Sequence, residues 1–199
     1  MTPVAATRSG ILATTVAGGR ARNSGRLLAY LAVGAAVALA LGAYGSVHDP
    51  TGDALVGLFF TSSINLKVWF ATAALALASF QVVSGRKVLG KLGSGFGPPW
   101  LPRAHRASGT LAFLLTIPVA YHCLWSLGFH ADAGTRTLVH GMAGCFFFGA
   151  LTAKVLVVRT RRMPSWALPV LGGAVFTGLT VAWLTSSLWF FTNVEFPGF

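Results

Sequence analysis

Acidic residues are nearly absent from this chain. Among 199 residues there are four, Asp49, Asp53, Asp132 and Glu195, and charged residues of both signs make up 10%. An ordinary soluble domain carries about 25%. None of the four lies inside a long apolar run, which argues against proton- or cation-coupled transport through the spans, since such pathways rely on buried carboxylates. Cysteine is equally scarce. Cys123 and Cys145 sit in two different apolar runs at depths several ångströms apart, which disfavours a disulfide and reads as two small buried hydrophobes. No His-Glu-x-x-His stretch occurs, so the zinc-protease arrangement that needs two histidines one helical turn apart is excluded.

What the chain has instead is apolar length. It is 54% hydrophobic, with a mean hydropathy of +0.69. Runs of about 20 apolar residues are long enough to cross a bilayer as helices, and five such runs occur: Leu27–Val47, Ile64–Val83, Ala107–Phe129, Thr137–Val158 and Trp166–Phe191. The expected fold is an all-α, multi-pass bundle of five transmembrane helices in the cell membrane, with one membrane domain over residues 27–192. Residues 1–26 lack a periodic apolar face and read as a disordered basic tail. Residues 193–199 read as a short outer tail. The first run is too long for the apolar core of a cleaved signal, and reads as a retained signal-anchor.

A net charge of +11 invites comparison with nucleic-acid binders, but the distribution of charge argues for membrane topology. Thirteen of the 15 basic residues fall in the N-terminal tail, in the connection between the second and third runs, or at the end of the fourth. Those regions share one side of the membrane, and basic loops are retained in the cytoplasm. The N-terminus is therefore expected inside and the C-terminus outside, with no nucleic-acid partner. Lys67 and Arg136 are the two basic residues left on the outer side. The stretch 85-GRKVLGKL-92 approaches a phosphate-binding loop, but Leu92 stands where a Ser or Thr hydroxyl is required and no strand precedes it. Trp100 and Trp166 at the inner boundary, and Trp69, Trp125 and Trp189 at the outer, fit aromatic belts.

The informative residues are histidines. His48 and His130 fall in outer loops and His105 at the inner mouth of the third run, a weak candidate for any role. His122 and His140 lie inside apolar runs, where a polar side chain is a functional candidate by default. His122 is seven residues before Phe129, about 10 Å below the outer end at 1.5 Å per residue. His140 is three residues into the next run. The short connection suggests antiparallel neighbours, bringing the two imidazoles to similar depths. They would then either hydrogen-bond directly or bind the iron of one haem b, for which imidazole is a standard axial ligand. Gly141, Ala143 and Gly144 would let a flat ring approach, Val119, Trp125, Phe129 and Phe147 would wall it, and Arg136 and Lys67 would meet its propionates. Cys123 projects about 100° from His122, so the two do not readily converge on one metal. His105 is about 25 Å along the helix from His122, and no inner histidine partners it, so a second haem is not supported.

The order His105–Arg106–Gly109–Ala112–Phe113 followed by His122 resembles membrane cytochromes b, and most closely the ferric-reductase-like haem-binding helical bundles. The resemblance spans the third and fourth runs. It implies one-electron transfer with quinol or a small outer-face redox protein, by a subunit working with others, as a complex member or homo-oligomer, rather than a stand-alone enzyme. Family members commonly pair histidines for two haems; only His140 stands on the second helix here. The competing expectation is a haem-free membrane anchor or assembly subunit whose histidines bond across the bundle.

Overall fold

The computed structural model describes residues 4–53, 58, 60–90, 97–129, 134–160 and 163–194. Among them every element of regular secondary structure is a helix. The elements are α1 (Val4–Val47), α2 (Ser63–Val88), α3 (Leu101–Tyr121) continued by a π-helical turn (His122–Ser126), α4 (Thr135–Arg159), α5 (Ala167–Trp183), a second π-turn (Leu184–Leu188) and the short α6 (Trp189–Asn193). Five helical stretches are long and apolar enough to cross a membrane: Asn23–Val47, Ser63–Val88, Leu101–Ser126, Thr135–Arg159 and Ala167–Asn193. These overlap the five expected spans, with ends shifted by a few residues.

One difference lies at the N-terminus, where residues 4–26 are helical and continuous with the first span although they carry no periodic apolar face. No proline interrupts the chain between Pro3 and Pro50, and a run rich in Ala and Arg propagates a helix at little cost once the apolar segment has nucleated it. His130, Lys91, Arg161, Arg162, Asp132 and the tail 195–199 lie outside the described residues.

A second difference concerns neighbours. The short connection between the third and fourth spans predicted that they pack together. Instead α3 packs along α2, while α4 packs along α1 and α5. The small residues of α4 decide this. A Cβ on Gly34 would stand 2.5 Å from the carbonyl oxygen of Gly149, and one on Gly149 would stand 2.5 Å from that of Gly34. Ala38 and Ala153 complete a small-xxx-small pattern on each helix, the arrangement that lets two spans touch backbone to backbone. Leu27, Ala153, Val157, Ala167 and Leu171 close the α1–α4–α5 end, and Ala74, Ala78, Phe147, Val175 and Leu179 join α2, α4 and α5. Tyr30 Oη and Thr160 Oγ1, 2.8 Å apart, tie α1 to α4.

The helices thus run α1, α4, α5, α2, α3 around the bundle. At one end the circuit closes, where Phe129 N donates to Gly45 O at 2.7 Å and Thr51 N to Trp125 O at 3.3 Å. His48, expected in an outer loop, stacks there on Tyr44 with ring centroids 5.0 Å apart and lies tilted against Trp125 at 4.6 Å.

Candidate functional site

Where α3 and α4 fail to meet, a cavity remains. It comprises about 910 Å³ of space, counting the part open to the surroundings, and its walls come from all five long helices. The enclosed void within it is about 120 Å³, smaller than the roughly 300–1,000 Å³ of small-molecule and cofactor pockets, so a macrocycle enters only if the surrounding helices part. Phe129, Phe147, Phe148 and Trp183 give it aromatic walls. Gly144 lies on the lining, and a Cβ there would meet nothing within 4 Å.

His140 faces this cavity. Its Nδ1 is 3.0 Å from Ala182 O and 3.3 Å from Thr185 Oγ1. A carbonyl only accepts, so Nδ1 carries the hydrogen and the neutral ring keeps its lone pair on Nε2. That Nε2 lies 3.9 Å from Cys123 Sγ. The residue facing His140 across the gap is therefore Cys123, the chain neighbour of His122. Both cysteines are free thiols, and both line the cavity.

His122 obeys the same logic in a different setting. It is 0% exposed, and its Nδ1 donates to Pro118 O at 2.8 Å, one turn back on its own helix. Its Nε2 is buried with no hydrogen-bond partner among the described residues. A buried acceptor left unpaired costs about 1–3 kcal/mol, and each such group in a native fold calls for an explanation. The direct hydrogen bond between the two imidazoles, one of the two expectations, is not formed: among the described residues His122 Nε2 has no partner, and His140 Nε2 faces a thiol. His122 itself is absent from the cavity lining.

Two π-turns frame the site. One holds His122 and Cys123; the other, Leu184–Leu188, holds Thr185 and Ser186. A π-turn inserts an extra residue into the helical repeat and re-aims the side chains after it, and such turns cluster at functional sites. Thr185 anchors its own hydroxyl on Val181 O at 2.7 Å while meeting His140. Trp183 Nε1 donates to Thr72 Oγ1 at 2.9 Å, fixing the wall between α5 and α2.

The family that matches this chain over residues 27–198 is described as a family of unknown function, DUF6529. The chain belongs to that family. No curated protein and no solved structure matches it.

The expected cations of this DUF6529 member are placed unequally. Arg136 Nη1 donates to Thr185 O at 2.7 Å, and its guanidinium lies 4.0 Å over the Trp189 ring. It thereby fastens the start of α4 to α5, with part of its donor fork left over. Lys67 is half-buried and within electrostatic reach of both His140 and Cys123. His105 is not part of this site. Its Nδ1 is 2.8 Å from the buried Ser84 Oγ, and Gln81 Nε2 bonds its carbonyl and, at 2.7 Å, Ser108 Oγ. That cluster joins α2 to α3 and gives His105 a packing role.

Sequence reasoning missed Cys123, Thr185 and Thr72. The run Thr185–Ser186–Ser187 inside an apolar span was the available signal, since hydroxyls there must find partners. No group of three or more His, Cys, Asp or Glu side chains gathers as a metal cluster among the described residues.

Proposed function

We propose that this protein is a multi-pass protein of the cell membrane, N-terminus inside and C-terminus outside, that carries one haem b near the outer face and exchanges single electrons with a quinol or a small redox protein. It acts as an electron-transfer subunit rather than a stand-alone catalyst. The observation that carries the reading is the wholly buried, unpartnered Nε2 of His122, together with the lone pair that His140 Nε2 presents to the cavity. Both rings are held through Nδ1–H on a backbone carbonyl, the arrangement that fixes the tautomer and orientation of a metal-binding imidazole.

The donor chemistry suits the group, while the present spacing must change to admit it, since Cys123 Sγ stands 3.9 Å from His140 Nε2 and His122 lies off the cavity lining. Two neutral imidazoles are a standard axial pair, the aromatic walls exclude water, and Lys67 and Arg136 supply positive charge for anionic substituents. When bound, the haem would supply a one-electron couple. The chain's own residues orient the rings, dry the cavity and hold the cations. Because His122 does not line the cavity, ligation by both rings requires the π-turn at His122–Ser126 to turn His122 toward it.

The haem-free anchor is the second reading, and Cys123 favours it: the thiol already gives His140 Nε2 a neighbour. Haem content of the purified protein separates the two. One haem per chain is expected; none, after expression with haem supplied, leaves the anchor.

A further inference from the structure

The outward face of α3 opposite the cavity carries a site of its own. A shallow groove there is lined by Arg103, Arg106, Ala107, Thr110, Leu111 and Leu114. Arg103 and Arg106 stand three residues apart on a helix, so their side chains project from neighbouring positions on one face. Both are exposed. Thr110 follows one turn later, its hydroxyl donating to Arg106 O at 3.0 Å, and Ala107 leaves room between the guanidinium stems. Beyond them the groove turns apolar: Leu111 and Leu114 are 49% and 52% exposed.

Charge decides what fits. No Asp or Glu occurs between Asp53 and Asp132, so two guanidiniums share a face with no carboxylate on their own helix, on α2 or on the connection between them. Guanidinium forks match the oxygens of a phosphodiester and bind it bidentately. The apolar continuation along the same helix matches an acyl chain. A soluble anion would use the first half of the groove and leave the second empty.

We propose that Arg103 and Arg106 clamp the phosphodiester of an anionic membrane lipid whose acyl chain lies along Leu111 and Leu114. The site is on the far side of α3 from His140 and does not depend on a haem.

Thermal unfolding of the full chain in nanodiscs tests it. Discs of phosphatidylglycerol are compared with discs of phosphatidylcholine bearing the same chains, and with the latter plus inorganic phosphate. Wild type should unfold at a higher temperature in phosphatidylglycerol, with inorganic phosphate giving no such rise. R103Q/R106Q should lose most of the rise while matching wild type in phosphatidylcholine, and R86Q/R159Q, which removes equal charge elsewhere, should keep it. Equal unfolding temperatures for wild type in the two lipids, a full rise from inorganic phosphate alone, or an undiminished rise in R103Q/R106Q would overturn the clamp. If R103Q/R106Q does not fold, displacement of lipid retained by detergent-solubilised wild type decides: displacement by phosphatidylglycerol and not phosphatidylcholine supports the clamp, and equal displacement by both overturns it.

Discussion

Cys123 Sγ and His140 Nε2 face each other at 3.9 Å across the cavity that keeps α3 and α4 apart. The thiol therefore occupies the side of the imidazole from which any metal must approach. Trimming it and enlarging it should have opposite consequences. Cys123→Ala should leave haem binding intact or tighter, because it clears the approach to Nε2. Cys123→Phe should abolish haem binding with helicity unchanged, since an aromatic ring fills the gap. Haem titration followed by absorbance, with circular dichroism as the fold control, reads both.

His122 should behave with opposite sign in the presence and absence of haem. Its unpaired Nε2 costs about 1–3 kcal/mol, against about 0.5–1.5 kcal/mol from the Nδ1 bond to Pro118 O. In haem-free protein, His122→Leu should therefore be neutral or mildly stabilising. In haem-loaded protein the same change should be destabilising, because a ligand is lost. Unfolding temperatures of both forms check the reversal; a loss of stability of equal size in each would show that His122 serves packing alone.

Glycines at the α1–α4 contact and at the cavity should differ sharply. Gly34→Ala or Gly149→Ala drives a methyl to 2.5 Å from a backbone oxygen that cannot move aside without separating α1 from α4, at a cost of about 1–3 kcal/mol. Gly144→Ala meets open space and should cost little, or gain slightly from reduced unfolded-state freedom. Denaturation in detergent distinguishes them.

Arg136 and Lys67 should also separate. Arg136→Leu removes a cation–π contact to Trp189, worth about 0.5–1 kcal/mol at an exposed site, and a bond to Thr185 O that helps place the partner of His140. It should lower both stability and haem affinity. Lys67→Leu should lower haem affinity with stability nearly unchanged. Parallel unfolding and haem-titration curves for the two variants provide the comparison.

The five membrane-competent helices were legible because apolar length and the absence of carboxylates are properties of composition. Their neighbours were not. That α4 would choose α1 over α3 depends on Gly34 and Gly149 meeting at the same depth, which only the assembled bundle reveals. His122 and His140 stood out as polar residues in apolar runs, and the structure gives both a carbonyl-anchored Nδ1. It also replaces the expected facing pair with Cys123 and His140. The 100° projection argument assumed a regular helix through residue 123, and the π-turn beginning at His122 changes the direction of the side chains it contains. The helical 4–26 segment escaped notice for a different reason: helix propagation from a span needs no apolar face of its own.

The reduced-minus-oxidised absorption spectrum of the purified protein, recorded for wild type, His122→Ala and His140→Ala, tests the central claim most directly. A b-type spectrum in wild type that is lost or altered in both variants, with unchanged helicity, is the predicted result. A colourless wild type after haem-supplemented expression, or a b-type spectrum that survives unaltered in either variant, would contradict it.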